Sequence, residues 1–308
     1  MEQKHYMDIA RVKSGSDLFQ SNIDGFHLGD HIVIQEKMDG ANASLCYDSE
    51  TGKLVAFSRK QELDSHNTLR GFYQFVQSLE SKPYSKYPYY IFFGEWLVSH
   101  TIKYKQWAYS NFYFYDVYDK KNEKYLPQDE VKRIAKELHL TYVNTLYDGA
   151  FISWEHCKSF AGMSQSAIDT GEGVVVKNQS NLNGCRSNEP FVLKIVVEQF
   201  SEIKAQNHIQ KTEDPQKLTE KAQSQKIVDT IVTEARVRKQ IHKMIDEGIL
   251  PEKLSPEDMK IVSQNLPKRI YDDCVKEESN LVESAGKWFG RQCSSKTMNI
   301  ARGLILGG

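Results

Sequence analysis

Two kinds of hydrophobic spacing divide the 308-residue chain near residue 205. Before that point short strand-like runs dominate. HIVIQE carries Ile32 and Ile34 on alternate positions, and ASLCYD follows as a second strand. DSETGKLVAFSR reads as a turn at Thr51-Gly52 followed by a strand ending at Ser58-Arg59. YYIFFGEW and NFYFYDVYD are aromatic strands, and GEGVVVKN and PFVLKIVVE are the last strand candidates. Helical spacing appears between them in LRGFYQFVQSLE, with Leu69, Phe72, Phe75, Val76 and Leu79, and in QDEVKRIAKELHL, with Val131, Ile134, Ala135 and Leu138. The strands outnumber the helices and follow one another as hairpins. The spacing therefore predicts a mixed, mainly antiparallel sheet.

After residue 205 the pattern turns helical. Lys204 to Gln225 is polar, holds Pro215, and reads as a linker or a frayed helix start. KIVDTIVTEARVRKQIHKMIDEG places Ile227, Ile231, Val232, Ala235, Ile241 and Ile245 along one helix that stops at Gly248. SPEDMKIVSQNLPKRIYDDCVKEE opens with a serine cap, a proline at the first helical position and an acidic first turn. A last helix is predicted over Ser294 to Leu306. The fold class is α+β: an antiparallel-sheet domain over 1–205, a linker over 206–225 and a small all-helical domain over 226–308.

Composition adds limits. Apolar residues make up 40% and charged residues 26%, as in an ordinary globular protein. The net charge of −1 gives no global basic field, so contact with nucleic acid needs a local patch. Five cysteines, none at CxxC spacing, predict neither a disulfide framework nor a cysteine zinc site. They fit a cytoplasmic or other reducing compartment. MEQKHYMDIA has no apolar core for a signal peptide, so secretion is not expected. YYIFFGEWLV is too short and too interrupted to span a bilayer, so no membrane partner is expected. His27 and His31 are spaced for metal binding, but Gly29 disfavours a helix there and no third ligand is near. No phosphate-cradling P-loop pattern occurs, and DTGEGVVV does not lead into a helix.

Five charges stand at strand ends or glycine turns: Lys37 in EKMDG, Arg59 in FSRK, Glu95 in FFGEW, Glu172 in GEGVVVK and Lys194 in FVLKIV. A charge set against an apolar run is either paired or functional, because burying it alone is unfavourable. Taken singly, each could mark a strand end at the solvent boundary. In this order they form a set.

EKMDG resembles the K-x-D-G motif of the polynucleotide ligases and mRNA capping enzymes, and FGEW, FYDVY, EGVVVK and VLK follow in that superfamily's order. KMDGAN, and QFSEIK after the last motif, make the chain most similar to the RNA ligase 2 family. The resemblance covers residues 5 to 205. It implies ATP-dependent joining of 3′-OH and 5′-phosphate RNA ends, with ATP and Mg²⁺ or Mn²⁺ as cofactors. The implied partner is RNA, as nicked duplex or structured ends, and the chain is expected to be a monomer. Lys37 would attack the α-phosphorus of ATP. A lysine with its free pKa near 10.4 is almost wholly protonated, so cations, metal or desolvation must assist. Glu36 and Asp39 alone would hinder it, and are expected to point away or to hold metal, its waters or the nucleoside. By resemblance Glu95 holds the ribose hydroxyls, Tyr115 stacks on adenine, Glu172 binds metal, and Lys194 contacts the AMP phosphate. Arg59 and Asn42 would reach the ribose and the reacting phosphate. Tyr115 could instead be core, and Lys177 is either a further site residue or a solvated strand charge. The family carries a second lysine two positions after Lys194, where this chain has Val196.

Two further readings stay open. One is a DNA ligase or capping guanylyltransferase of the same superfamily, although the helical tail replaces the OB-type barrel those enzymes carry. The other is an inactive protein that binds nucleic-acid ends. In the tail, Lys287, Arg291, Lys296 and Arg302 occur without an acid from Gly286 onward. They form either an RNA-gripping patch or a solvated helix face.

Overall fold

The computed structural model describes residues 4–12, 17–182, 184–185, 189–197 and 220–306. They fall into two compact units, one running to Val196 and one spanning the helices from Glu220 onward. The expected domain boundary at 205, the QFSEIK motif and most of the expected linker lie outside the described residues. Residues 220–225 of that linker are helical.

The first unit is built on two sheets. In chain order its strands are β1 (Ala10–Arg11), β2 (His31–Lys37), β3 (Ala41–Asp48), β4 (Lys53–Ser58), β5 (Tyr90–Trp96), β6 (Phe112–Asp119), β7 (Lys124–Tyr125), β8 (Thr141–Tyr142), β9 (Thr145–Ala150), β10 (Gly173–Asn178) and β11 (Val192–Val196). Its α-helices are α1 (Asp17–Ile23), α2 (Phe72–Ser78), α3 (Gln128–Glu137) and α4 (Trp154–Ser159). One sheet has the order β1-β11-β10-β2-β9, the other β4-β3-β5-β6-β7 with β8 beside β6. All pairs are antiparallel except β1 with β11 and β6 with β8. The architecture is the antiparallel-sheet α+β arrangement that the strand spacing predicts, followed by an all-helical region.

Strand alternation assigns the faces. In the first sheet Ile32, Ile34, Val174, Val176, Leu193 and Ile195 turn into a core with Phe26, Phe151 and Cys157. In the second, Ala41, Ala43, Leu45, Phe92 and Phe114 pack with α2 and α3. Between the sheets lies a smaller core of Tyr6, Met7, Cys46, Phe57, Ile91, Phe93, Tyr125 and Val192, with Val175 and Tyr115 packed against it. The polar positions that remain on these two facing surfaces, at the strand ends, form the candidate site.

The second unit contains α5 (Glu220–Ile231), α6 (Glu234–Asp246), α7 (Met259–Glu277), α8 (Ser279–Ala285) and α9 (Phe289–Leu306) around a core that includes Val228, Val237, Ile241, Leu266, Ile270 and Phe289. The long helix expected from Lys226 to Gly248 is two helices. Thr233 is extended, and its side chain caps α6 by accepting from the Arg236 amide. Good apolar spacing on both sides hides that break in the sequence, because a capping threonine also tolerates a helix interior. The last helix begins at Phe289, earlier than expected, and Phe289 is buried. Pro256 and the capping box of Ser255 with Asp258 open a short 3-10 turn before α7, as the serine-proline signal predicts. Among the described residues no helix is long and apolar enough to cross a membrane.

Candidate active site

Lys37 ends β2, and its ammonium lies 2.5 Å from Oε2 of Glu172. The register explains the meeting: Lys37 pairs with Gly173 of β10, and Gly173 pairs with Val196 of β11. A Cβ on Gly173 would lie 2.0 Å from the Ile195 carbonyl, so only glycine lets the strands close at that point. Glu172, just before it, is thereby delivered to the end of β2. Lys194 and Gln35 lie on the same face, one pair further along. Val196 stands level with Lys37 across Gly173, where the family pattern asks for a second lysine.

From the second sheet come Asn42 and Glu95, which are directly opposed on β3 and β5. The Gly40 amide donates to Oε1 of Glu95 at 3.2 Å, tying the turn after Lys37 to that carboxyl. A side chain on Gly40 would meet the Trp96 carbonyl at 2.5 Å. Burial pushes the Glu95 carboxyl up to about 8; Lys37 opposes this, and the Glu172 and Asp39 carboxylates add to it. These interactions place Lys37, Glu95, Glu172 and Asp39 in one electrostatic neighbourhood. The site holds more carboxylate than lysine charge at its centre.

An acid with a raised folded-state pKa contributes stability below its unfolded value and loses it as pH rises through the folded value. Without nucleotide or divalent ion, the melting temperature should therefore fall between pH 4.5 and about 8 through Glu95. Glu95→Gln should flatten the fall over that window in thermal unfolding. Equal slopes in both proteins would refute the raised carboxyl.

Tyr115 reaches the site through a bulge. Phe93 pairs with Asp116 and Gly94 with Phe114, so Tyr115 is the extra residue on β6. Its hydroxyl accepts from Nδ2 of Asn42 at 2.6 Å, its ring packs on Tyr6 with centroids 5.0 Å apart, and it is half-buried. Burial, and then Glu95, raise its phenol well above the usual range. Lys177 is buried rather than solvated. Its ammonium donates to Asp116 at 2.8 Å and to the Tyr115 carbonyl at 2.9 Å, and lies 5.4 Å from the Tyr115 ring centre. Burial weakens its hold on the proton and Asp116 restores part of it. Tyr6 and Gln128 also donate to the Asp116 carboxylate.

The other expected residues have different partners. Glu36 lies on the opposite face of β2 and is buried, with Ser164, Ser166 and Asn144 donating to its carboxylate. Burial raises that carboxyl. Asp39 is held by the amides of Thr101 and Ile102, each at 2.8 Å, and its own amide donates to the Tyr104 hydroxyl. Arg59 is exposed, pairs with Asp8 at 2.6 Å, and acts electrostatically on Tyr115. In the helical unit Lys287, Arg291 and Arg302 are exposed, whereas Lys296 pairs with Asp229 at 2.9 Å.

Several participants carry no sequence signal. Leu69, Arg70 and Gly71 form a left-handed run with φ of 48°, 51° and 99°. It aims the Arg70 guanidinium at the Ser99 carbonyl and at His100, while the Arg70 carbonyl accepts from the Trp96 indole. His100 Nδ1 in turn lies 3.8 Å from Asp39. Non-glycine residues with positive φ are strained and persist only where their surroundings fix them.

Residues 30–196 match the family model of the RNA ligases. The chain belongs to the RNA ligase family. Among solved structures it is similar to Naegleria gruberi RNA ligase with PPi, at 18% identity over 64% of this chain and 57% of that one, with a TM-score of 0.44. A variant of that ligase with ATP and Mn matches at 18% identity and a TM-score of 0.45, covering 64% of this chain and 57% of its own. This RNA ligase family member thus spans little more than half the length of the solved structures it matches. No curated protein matches it in sequence.

Proposed function

We propose that the chain is an ATP-dependent RNA ligase that joins 3′-OH and 5′-phosphate ends through a lysyl-AMP on Lys37 and an RNA-adenylate. The observation that carries this reading is the contact of Lys37 with Glu172 at the mouth between the sheets, with Glu95 electrostatically coupled to both. In the first step the Lys37 nitrogen bonds to the α-phosphorus, the bond to pyrophosphate breaks, and the lysine gives up a proton. Lys37 must leave its ion pair before it can attack. Glu95, protonated in large part at neutral pH, can both donate to and accept from ribose hydroxyls. Tyr115 offers its ring to the base, and its position is fixed by Asn42 and Lys177. Lys194 lies on the Lys37 face and supplies positive charge for the phosphate.

The donors fit a hard divalent cation: Glu172 offers carboxylate oxygens, and Glu95 would offer more once a bound cation lowers its raised pKa. Mg²⁺ or Mn²⁺ on Glu172 would supply counter-charge to the phosphate oxygens. The helical unit, through Lys287, Arg291 and Arg302, is assigned to the RNA flanking the junction.

Nicked duplexes with RNA or DNA on the 3′-OH strand test the substrate. Sealing with ATP and Mg²⁺ should be faster with RNA on that strand. Equal or faster sealing of all-DNA nicks would turn the assignment to DNA.

A further inference from the structure

Beside the nucleophile's turn the first unit displays a surface that the reaction chemistry leaves unused. Trp107 is 62% exposed and Ile168 is 58% exposed. They lie on two loops joined backbone to backbone, with the Lys105 amide donating to Ser166 at 2.8 Å and the Ile168 amide to Lys103 at 2.9 Å. Lys103 and Lys105 are exposed on the same loop as Trp107, and the Lys105 ammonium rests on a neutral carbonyl, that of Gln165, at 2.9 Å. Asp169, exposed next to Ile168, is the nearby acid.

The loop is ordered while its largest ring is left in water. Tyr104 and Ala108 are buried beneath it, Tyr104 packs edge-on against Tyr109, and Asn111 donates to the Trp107 carbonyl at 2.9 Å. An indole fixed in solvent by such anchoring forgoes the burial that normally accompanies tryptophan. The two loops are also tied to the strand and turn that carry Lys37. The Asp39 amide, two residues from Lys37, donates to the Tyr104 hydroxyl at 2.8 Å, and Ser164 and Ser166 of the facing loop donate to Glu36.

We propose that Trp107 is a stacking platform for a base of the RNA strand that carries the reacting end, with Lys103 and Lys105 on its phosphates. This rests on the ligase reading above. An exposed ring on a loop that also carries two exposed lysines matches a single-stranded polynucleotide, whose bases offer π-faces and whose phosphates recur along the chain. The Tyr104 contact with Asp39 puts this loop beside the turn after Lys37, within reach of an RNA end held there.

The test uses the full chain and a fluorescent single-stranded RNA with a 5′-phosphate, followed by anisotropy over a range of salt concentrations. Trp107→Ala should bind about ten-fold more weakly, while Trp107→Phe, which keeps a ring, should stay near wild type. Lys103→Ala with Lys105→Ala should flatten the plot of log affinity against log salt by about 0.7 per lysine. All variants should form lysyl-AMP as wild type does, which also shows that they fold. Wild-type affinity, salt slope and sealing rate in the Trp107→Ala and double-lysine variants would overturn the proposal. A wild-type chain that forms no lysyl-AMP, yet loses RNA affinity with Trp107→Ala, would break the ligase reading and leave this surface standing.

Discussion

Glu172→Ala should lower lysyl-AMP formation by about a hundred-fold or more, in the range seen when one preorganised charge contact is deleted from an active site. Glu172 is buried just before β10 and touches the Lys37 ammonium, and the proposed mechanism gives it the divalent ion. On the proposed reading its removal takes away the metal's protein ligand, and the neighbouring Gly173 keeps the strand register. Quantifying adenylation by intact mass over time, with unfolding followed in parallel, separates chemistry from stability. A variant that adenylates at the wild-type rate would remove Glu172 from the metal role.

The second large effect is on stability. Lys177→Met should destabilise the sheet unit by about 3–5 kcal/mol, since it strands the Asp116 carboxylate between the sheets. That corresponds to a fall in melting temperature on the order of 10 °C for a unit of this size. Tyr6 and Gln128 still donate to Asp116, so the variant should fold at low temperature. Adding Asp116→Asn should recover much of the loss, because the amide needs no counter-charge. Additive losses in calorimetry would mean that the two side chains are not coupled. Activity should fall along with stability, because the Lys177 ammonium also fixes the Tyr115 carbonyl.

Seven strands of the first unit were readable because one face of each is apolar; β1, β7, β8 and β9 were not, and β9 has no buried face to betray it. Alternation in HIVIQEK and YIFFGEW gives the element, and the charge at its end marks where the apolar face stops. Alternation also decides which neighbours of Lys37 share its face, but it does not reveal what lies opposite. Glu36 illustrates the limit: one step along β2 turns it to the other face, toward Ser164 and Ser166, which are 128 and 130 residues away. Lys177 was ambiguous for the same reason. Its ion pair with Asp116 depends on two sheets meeting, and a strand pattern carries no information about the facing sheet. The bulge that turns Tyr115 toward the site has no residue signature in NFYFYDVYD, where rings stand at most positions. The left-handed run at Leu69–Gly71 was hidden inside a helical pattern, and only its glycine hinted at it. In the tail, four basic residues looked alike in sequence, but the structure pairs Lys296 with Asp229.

Lys37 is proposed as the nucleophile that becomes adenylated. Incubation of the full chain with ATP and Mg²⁺ or Mn²⁺, followed by intact-protein mass spectrometry and peptide mapping, tests it most directly. One added AMP should appear, mapped to the peptide containing Lys37, and none in Lys37→Ala. An AMP adduct of equal yield in Lys37→Ala, or mapping to another residue, would contradict it.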